Sequence, residues 1–159
     1  MCEKLARYEM PAVGIVAEMD ESDRALLGDY GEFLPVQAGD KIIIAGEAQE
    51  YLYLVLSGLL HVTIQVEGRS KLVARVEEGE TLGEINIFDS GKASATVTAQ
   101  EFTQIWKANR ENIDAFVKAY PLAGASFLSG IIAVMSRRIR HMNEQIADTE
   151  SLSILGKFW

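Results

Sequence analysis

Two short stretches carry the side chains best suited to hold a ligand. The first is Leu82-Gly83-Glu84-Ile85-Asn86-Ile87-Phe88, and the second is Lys92-Ala93-Ser94-Ala95-Thr96-Val97. A glycine and an acid follow a strand-like run that ends near Glu78, and β-type alternation resumes at Ala95-Thr96-Val97. The pattern predicts one helical turn wedged between two strands. Such a turn points unpaired backbone N–H groups, and a partial positive charge, at whatever lies beside it, which suits an anion. Lys92 sits close by as a point charge and cannot copy the two-toothed geometry of a guanidinium.

Catalytic chemistry finds no comparable footing. His61 falls in a strand-like run and His141 in a helical one, without a serine, cysteine or acid at a spacing that marks a catalytic pair. A metal-holding β-roll would need clustered histidines with a further carboxylate, and two isolated histidines do not make that set. No glycine-rich nucleotide loop of the Walker or dinucleotide type is present. The chain is therefore expected to be non-enzymatic and to carry no cofactor or metal.

The elements that must position these residues follow from size and periodicity. With 159 residues, 48% of them hydrophobic, the chain is long enough for one domain with a real core. No uninterrupted apolar run reaches the roughly 18–20 residues that cross a bilayer, so no membrane segment is expected. Met1-Cys2-Glu3-Lys4 does not read as a signal peptide, and the lone Cys2 cannot form an internal disulfide, so the expected compartment is the cytoplasm. A net charge of −8 opposes contact with nucleic acid, which depends on neutralising phosphates.

Up to about Met19 the apolar residues Leu5, Met10, Val13, Ile15, Val16 and Met19 fit one or two short amphipathic helices interrupted near Pro11. Ser22 is the expected N-cap of a short helix ended by Gly28 or Gly31. From Glu32 the period becomes two, with glycine punctuation every eight to twelve residues, through runs at 33–37, 41–44, 51–56, 59–66 and 71–76. Evenly spaced short strands of this kind predict a β-sandwich or barrel. Residues 95–99 and 102–106 close it, and Asn109 caps a helix whose stripe is Ile113, Phe116 and Val117.

The last long segment has the most regular pattern. Leu128, Ile132, Met135, Ile139, Met142 and Ile146 alternate spacings of four and three, which is a heptad seam. Arg137, Arg138, Arg140 and Glu144 line it, as suits a two-stranded coiled coil, and Ile131 and Val134 widen the apolar face.

Gly83, Glu84, Ile85, Ile87, Ser94, Ala95, Thr96 and Val97 together resemble the phosphate-binding cassette of the cyclic-nucleotide-binding domain family, the type found in catabolite activator proteins and protein kinase A regulatory subunits. The turns Ala38-Gly39-Asp40, Ala45-Gly46-Glu47 and Leu56-Ser57-Gly58 resemble the family's turns, and the likeness runs from about Met19 to Glu144. It implies a mainly β fold with flanking helices: a double-stranded β-helix, or jelly-roll-like β-roll, followed by a long dimerisation helix. Residues 1–121 would form the helices and roll, and residues 122–159 the dimer helix and a short apolar tail, all within a single domain.

The resemblance also implies roles. Gly83 shapes the turn, Glu84 accepts a bond from a ribose 2′-hydroxyl, and the backbone of Ile85 and the hydroxyl of Ser94 serve the phosphate. Met142 and Asn143 match positions that contact the purine, partly across the dimer. The family's phosphate-pairing arginine is Ala93 here, and Lys92 replaces a proline. The expected ligand is cyclic AMP or cyclic GMP bound weakly, or another small anion, and the expected assembly is a parallel homodimer through the Leu128 to Ile146 seam. A module that dimerises or docks without ligand is the alternative, as is the sensor piece of a transcriptional regulator. The family's DNA-reading helix-turn-helix is not expected in this chain, and the tail from Ser153 to Trp159 is expected to fold back on the helix or to dock elsewhere.

Overall fold

The computed structural model describes residues 9–156, with side chains described through residue 149. A 3-10 turn, Gly14–Val16, precedes α1 (Glu21–Asp29). Ten strands follow, interrupted once by a single helical turn: β1 (Glu32–Val36), β2 (Lys41–Ile43), β3 (Ala48–Gln49), β4 (Tyr51–Ser57), β5 (Leu60–Val66), β6 (Arg69–Val76), β7 (Thr81–Leu82), α2 (Glu84–Phe88), β8 (Gly91–Lys92), β9 (Thr96–Ala99) and β10 (Thr103–Asn109). Then come α3 (Arg110–Ala119) and α4 (Pro121–Gly156).

The strands form two four-stranded antiparallel sheets, ordered β1-β10-β4-β7 and β2-β9-β5-β6, with β3 and β8 as a separate pair. Period two explains how β4 serves both faces of its sheet. Tyr53 and Val55 point into the roll with Val36, Ile43, Leu60, Val76, Val97, Ala99 and Ile105, whereas Leu52 and Leu54 point outward to the helices. On β10, Ile105 likewise faces in, and Trp106 and Ala108 face out. The outer cluster is where the helices are held. Trp106 is fully buried, its indole N–H donates to the Gly28 carbonyl at 3.3 Å, and its ring meets Phe127 edge-on at 6.5 Å.

Helix α4 lies on this outer face through Ala123, Phe127 and Ile131, with Leu128, Val134 and Met135 partly covered. Two glycines permit its close approach: a Cβ on Gly124 would press on Val117, and one on Gly130 would run into the backbone of Ile15. By length and hydropathy the stretch Pro121–Thr149 is sufficient to span a bilayer, although charged residues interrupt its apolar run. Part of its apolar surface covers the roll through Ala123, Phe127 and Ile131, and part, at Ile132, Ile139, Met142 and Ile146, is exposed.

Several local expectations are corrected. The described part of the N-terminal segment forms only the 3-10 turn, and Leu5 and Cys2 lie outside the described residues. The N-cap of α1 is Asp20, so Ser22 is inside the helix, and the helix passes through Gly28. Past residue 150 the backbone does not fold back but continues helical to Gly156, while residues 157–159 lie outside the described residues. Asn109 does cap α3, accepting a bond from the Asn112 N–H at 2.9 Å.

Candidate ligand cassette

The cassette begins where β7 pairs with β4, Thr81 opposite Leu54 and Leu82 opposite Tyr53. The chain then turns sharply at Gly83, which takes φ +80°. Only glycine fits there: a Cβ would collide with the Tyr51 carbonyl and the Gln49 side chain, quite apart from the cost of a left-handed backbone. Gln49 is itself buried and fixed, its amide nitrogen donating to the Tyr51 carbonyl at 2.7 Å and its oxygen accepting from the Tyr51 N–H at 3.1 Å. The predicted helical turn follows as α2, five residues long. Such a helix leaves its first N–H groups without partners inside it.

Turning the chain at Gly83 drives Glu84 inward, where it is only 5% exposed. A buried carboxylate needs a partner, and the long helix provides one. Arg138 donates one guanidinium N–H to Glu84 Oε1 and another to the Thr81 carbonyl. Burial pushes the Arg138 pKa down, and Glu80 opposes that shift. Two oxygens beside this pair stay unsatisfied, namely Glu84 Oε2 and Thr81 Oγ1, both buried without a hydrogen-bond partner. Buried polar atoms are seldom left this way, and each such case asks for an explanation.

The remaining expected residues lie at different places. Lys92 is exposed on β8 opposite Ala48. Ala93 is half-buried and packs against the inner cluster of the roll, its N–H donating to the Glu47 carbonyl and its carbonyl accepting from Gly46, both at 2.8 Å. Ser94 is exposed in the bend that follows, and Ile85 is 61% exposed on the outer side of α2. Met142 and Asn143 are exposed on α4 and lie beyond the part of it that touches the roll. Among the described residues, no hydrogen bond joins Lys92, Ser94 or Asn143 to Glu84. The structure thus brings Gly83 and Glu84 together with Gln49, Tyr51, Thr81 and Arg138. The sequence places Tyr51 in a strand run and Arg138 beside the heptad seam, and gives none of these four a ligand role. Arg138 alone carries a signal, because extending the stripe Phe127, Ile131 and Val134 by four residues reaches it.

His61 pairs with Arg75 and Thr98 across the sheet, and His141 is exposed 4.0 Å from Glu144. No cluster of three potential metal ligands occurs among the described residues.

The sequence model of the cyclic nucleotide-binding domain matches residues 33–120, from β1 through the end of α3. The chain belongs to the cyclic nucleotide-binding domain family. Among curated relatives, the cyclic AMP receptor protein of Thermus thermophilus is 28% identical over 109 residues, covering 68% of this chain and 49% of that protein. A CRP-like cAMP-activated global transcriptional regulator of Mycobacterium tuberculosis is 23% identical over 158 residues, covering 99% of this chain and 66% of that one. This chain therefore spans about half to two thirds of the length of the curated relatives it matches. A cyclic nucleotide-binding domain from Methylobacillus flagellatus shares the fold with a TM-score of 0.75 at 20% identity, over 82% of this chain and 74% of that one. The mainly β roll with flanking helices and a long C-terminal helix is the architecture of this family, of the type found in catabolite activators and protein kinase A regulatory subunits.

Proposed function

We propose that the chain is a non-enzymatic sensor domain that holds a cyclic nucleotide weakly, or another small anionic ligand, at the cassette from Gly83 to Ser94, and that signals through α4 in a parallel homodimer. The observation that carries this reading is Glu84: a nine-tenths-buried carboxylate, pinned by Arg138, with one oxygen still unpartnered. A ribose hydroxyl donating to Oε2 would satisfy it. Ile85, Lys92, Ala93 and Ser94 border the remainder of the ligand, and Asn143 would approach it from the long helix.

The homodimer is supported by what α4 leaves uncovered. Ile132, Ile139, Met142 and Ile146 are 55–64% exposed. Three of them recur every seven residues, and the described side chains beyond Arg138 are all exposed. A helix that leaves the roll with this apolar stripe uncovered favours a partner along the stripe. A second copy covering the same seam is the simplest one. Leu128 and Met135 complete the seam while resting partly on their own roll.

Ala93 favours a second reading, a docking module that has lost its ligand, because it leaves the cassette without the family's guanidinium. Thermal unfolding separates the two. With about 1 mM cyclic AMP or cyclic GMP and a dissociation constant near 10 μM, stabilisation of about 2.7 kcal/mol is expected, or about 5–10 °C in Tm, and non-cyclic AMP serves as control. The shift disappears in Glu84→Ala. If the wild-type protein shows no shift with either nucleotide, the weight moves to the ligand-free module or to a different ligand in the same pocket.

A further inference from the structure

The charges around the cassette do not balance in the way a phosphate ligand requires. Glu84 and Arg138 are bonded to each other and cancel, and the second guanidinium nitrogen of Arg138 is committed to the Thr81 carbonyl. Ala93 brings no charge, and its side chain is turned into the apolar cluster of the roll. Lys92 is exposed on β8. Helix α2 is a single turn, so few peptide dipoles add up at its start. An anion placed beside Glu84 would meet a buried carboxylate with no uncommitted guanidinium to offset it, an arrangement that low-dielectric surroundings penalise. A neutral polyol meets the opposite situation, because Glu84 Oε2 and Thr81 Oγ1 are both buried and both lack a hydrogen-bond partner. A ribose hydroxyl donated to Oε2 satisfies the first without adding charge.

We infer that this cassette selects a neutral ribonucleoside over the corresponding cyclic monophosphate. The inference rests on the proposal that the cassette is a ligand site, and in place of the anionic ligand of that proposal it puts an uncharged base-ribose compound whose 2′-hydroxyl is read by Glu84. In chemical terms, Ala93 removes the favourable phosphate contact and leaves the sugar contact as the anchor. The order of affinities expected from the family's arginine-bearing cassette is thereby inverted.

The test is calorimetric titration of the whole chain with adenosine, guanosine, their 2′-deoxy forms, cyclic AMP and cyclic GMP, repeated on Ala93→Arg. For at least one base, the wild-type protein is expected to bind the ribonucleoside ~10-fold more tightly than the cyclic nucleotide, and to lose a similar factor with the 2′-deoxynucleoside. In Ala93→Arg the preference is expected to turn toward the cyclic nucleotide. Wild-type protein that binds the cyclic nucleotide as tightly as the nucleoside, or more tightly, overturns the inference while leaving the sensor reading intact. So does wild-type protein that binds none of the six when Ala93→Arg binds a cyclic nucleotide. Absence of binding by both proteins removes the sensor reading along with it. The wild-type comparison decides the matter even if the arginine variant does not fold.

Discussion

Arg138 is the residue on which the cassette depends most. It bridges 54 positions of sequence to reach Glu84 and is the cation that makes the burial of that carboxylate tolerable. Removing it leaves Glu84 desolvated without a counter-charge. The Arg138→Gln variant is expected to lose about 1–3 kcal/mol at neutral pH, since a hydrogen bond to a charged group is lost and a buried acceptor is orphaned. The loss is read as a lower urea midpoint at neutral pH, and an unchanged midpoint would mean that the buried Glu84 does not depend on Arg138. The sequence showed that Glu84 follows a turn glycine, but the identity of its partner depends on how α4 packs on the roll, and that is a long-range fact.

At the scale of elements, the strands were the legible part. Alternation and glycine spacing located nearly all of the longer strands, and the predicted turn residues Gly39, Gly46, Gly58, Gly68, Gly79 and Gly83 all adopt positive φ, which is why those positions punctuate the chain. The two-residue strands β3, β7 and β8 were invisible, because two residues carry no period and their pairing is set by tertiary packing. The cap of α1 was misplaced because Asp20 and Ser22 are both residue types that cap helices; Asp20 holds the position without a side-chain cap bond, while Arg24 in the first turn donates to the carbonyls of Met10 and Met19. Helix α4 offers an element-level test of packing against propensity. Gly130→Ala should gain up to about 1 kcal/mol of helix propensity. The new methyl would meet the Ile15 backbone, which has no flexible end to move aside. A net loss of about 1–3 kcal/mol is expected from this overpacking, read as a lower urea midpoint. A stabilised variant would show that α4 does not rest on the 3-10 turn as closely as described.

For the whole molecule, the seam is legible as a period, yet its two uses are not separable by spacing alone. Phe127 and Ile131 look no different in sequence from Ile132 and Ile139, but the first pair is buried against the roll and the second is exposed. Only the direction in which α4 leaves the roll distinguishes them. The expected consequence is a monomer when the exposed part is made acidic. Ile139→Asp combined with Met142→Asp should sediment as a monomer with the β-roll still folded, and its Tm should no longer rise with protein concentration as that of the wild type would. A dimer that persists at micromolar concentration would place the contact elsewhere. The variant touches no residue of the buried clusters, so loss of the dimer cannot be mistaken for loss of the fold.

The position of Arg138 on α4 has a mechanical meaning as well. It marks the last point at which the helix is fastened to the roll, and the described helix runs on for another 18 residues to Gly156. At 1.5 Å per residue this is an arm about 27 Å long, so a tilt of about 10° at the fastening sweeps its far end through about 5 Å. On the proposed sensor reading, a hydroxyl received at Glu84 would act at this fastening, and a tilt there would carry the far end of the arm through a distance comparable with a full helical turn.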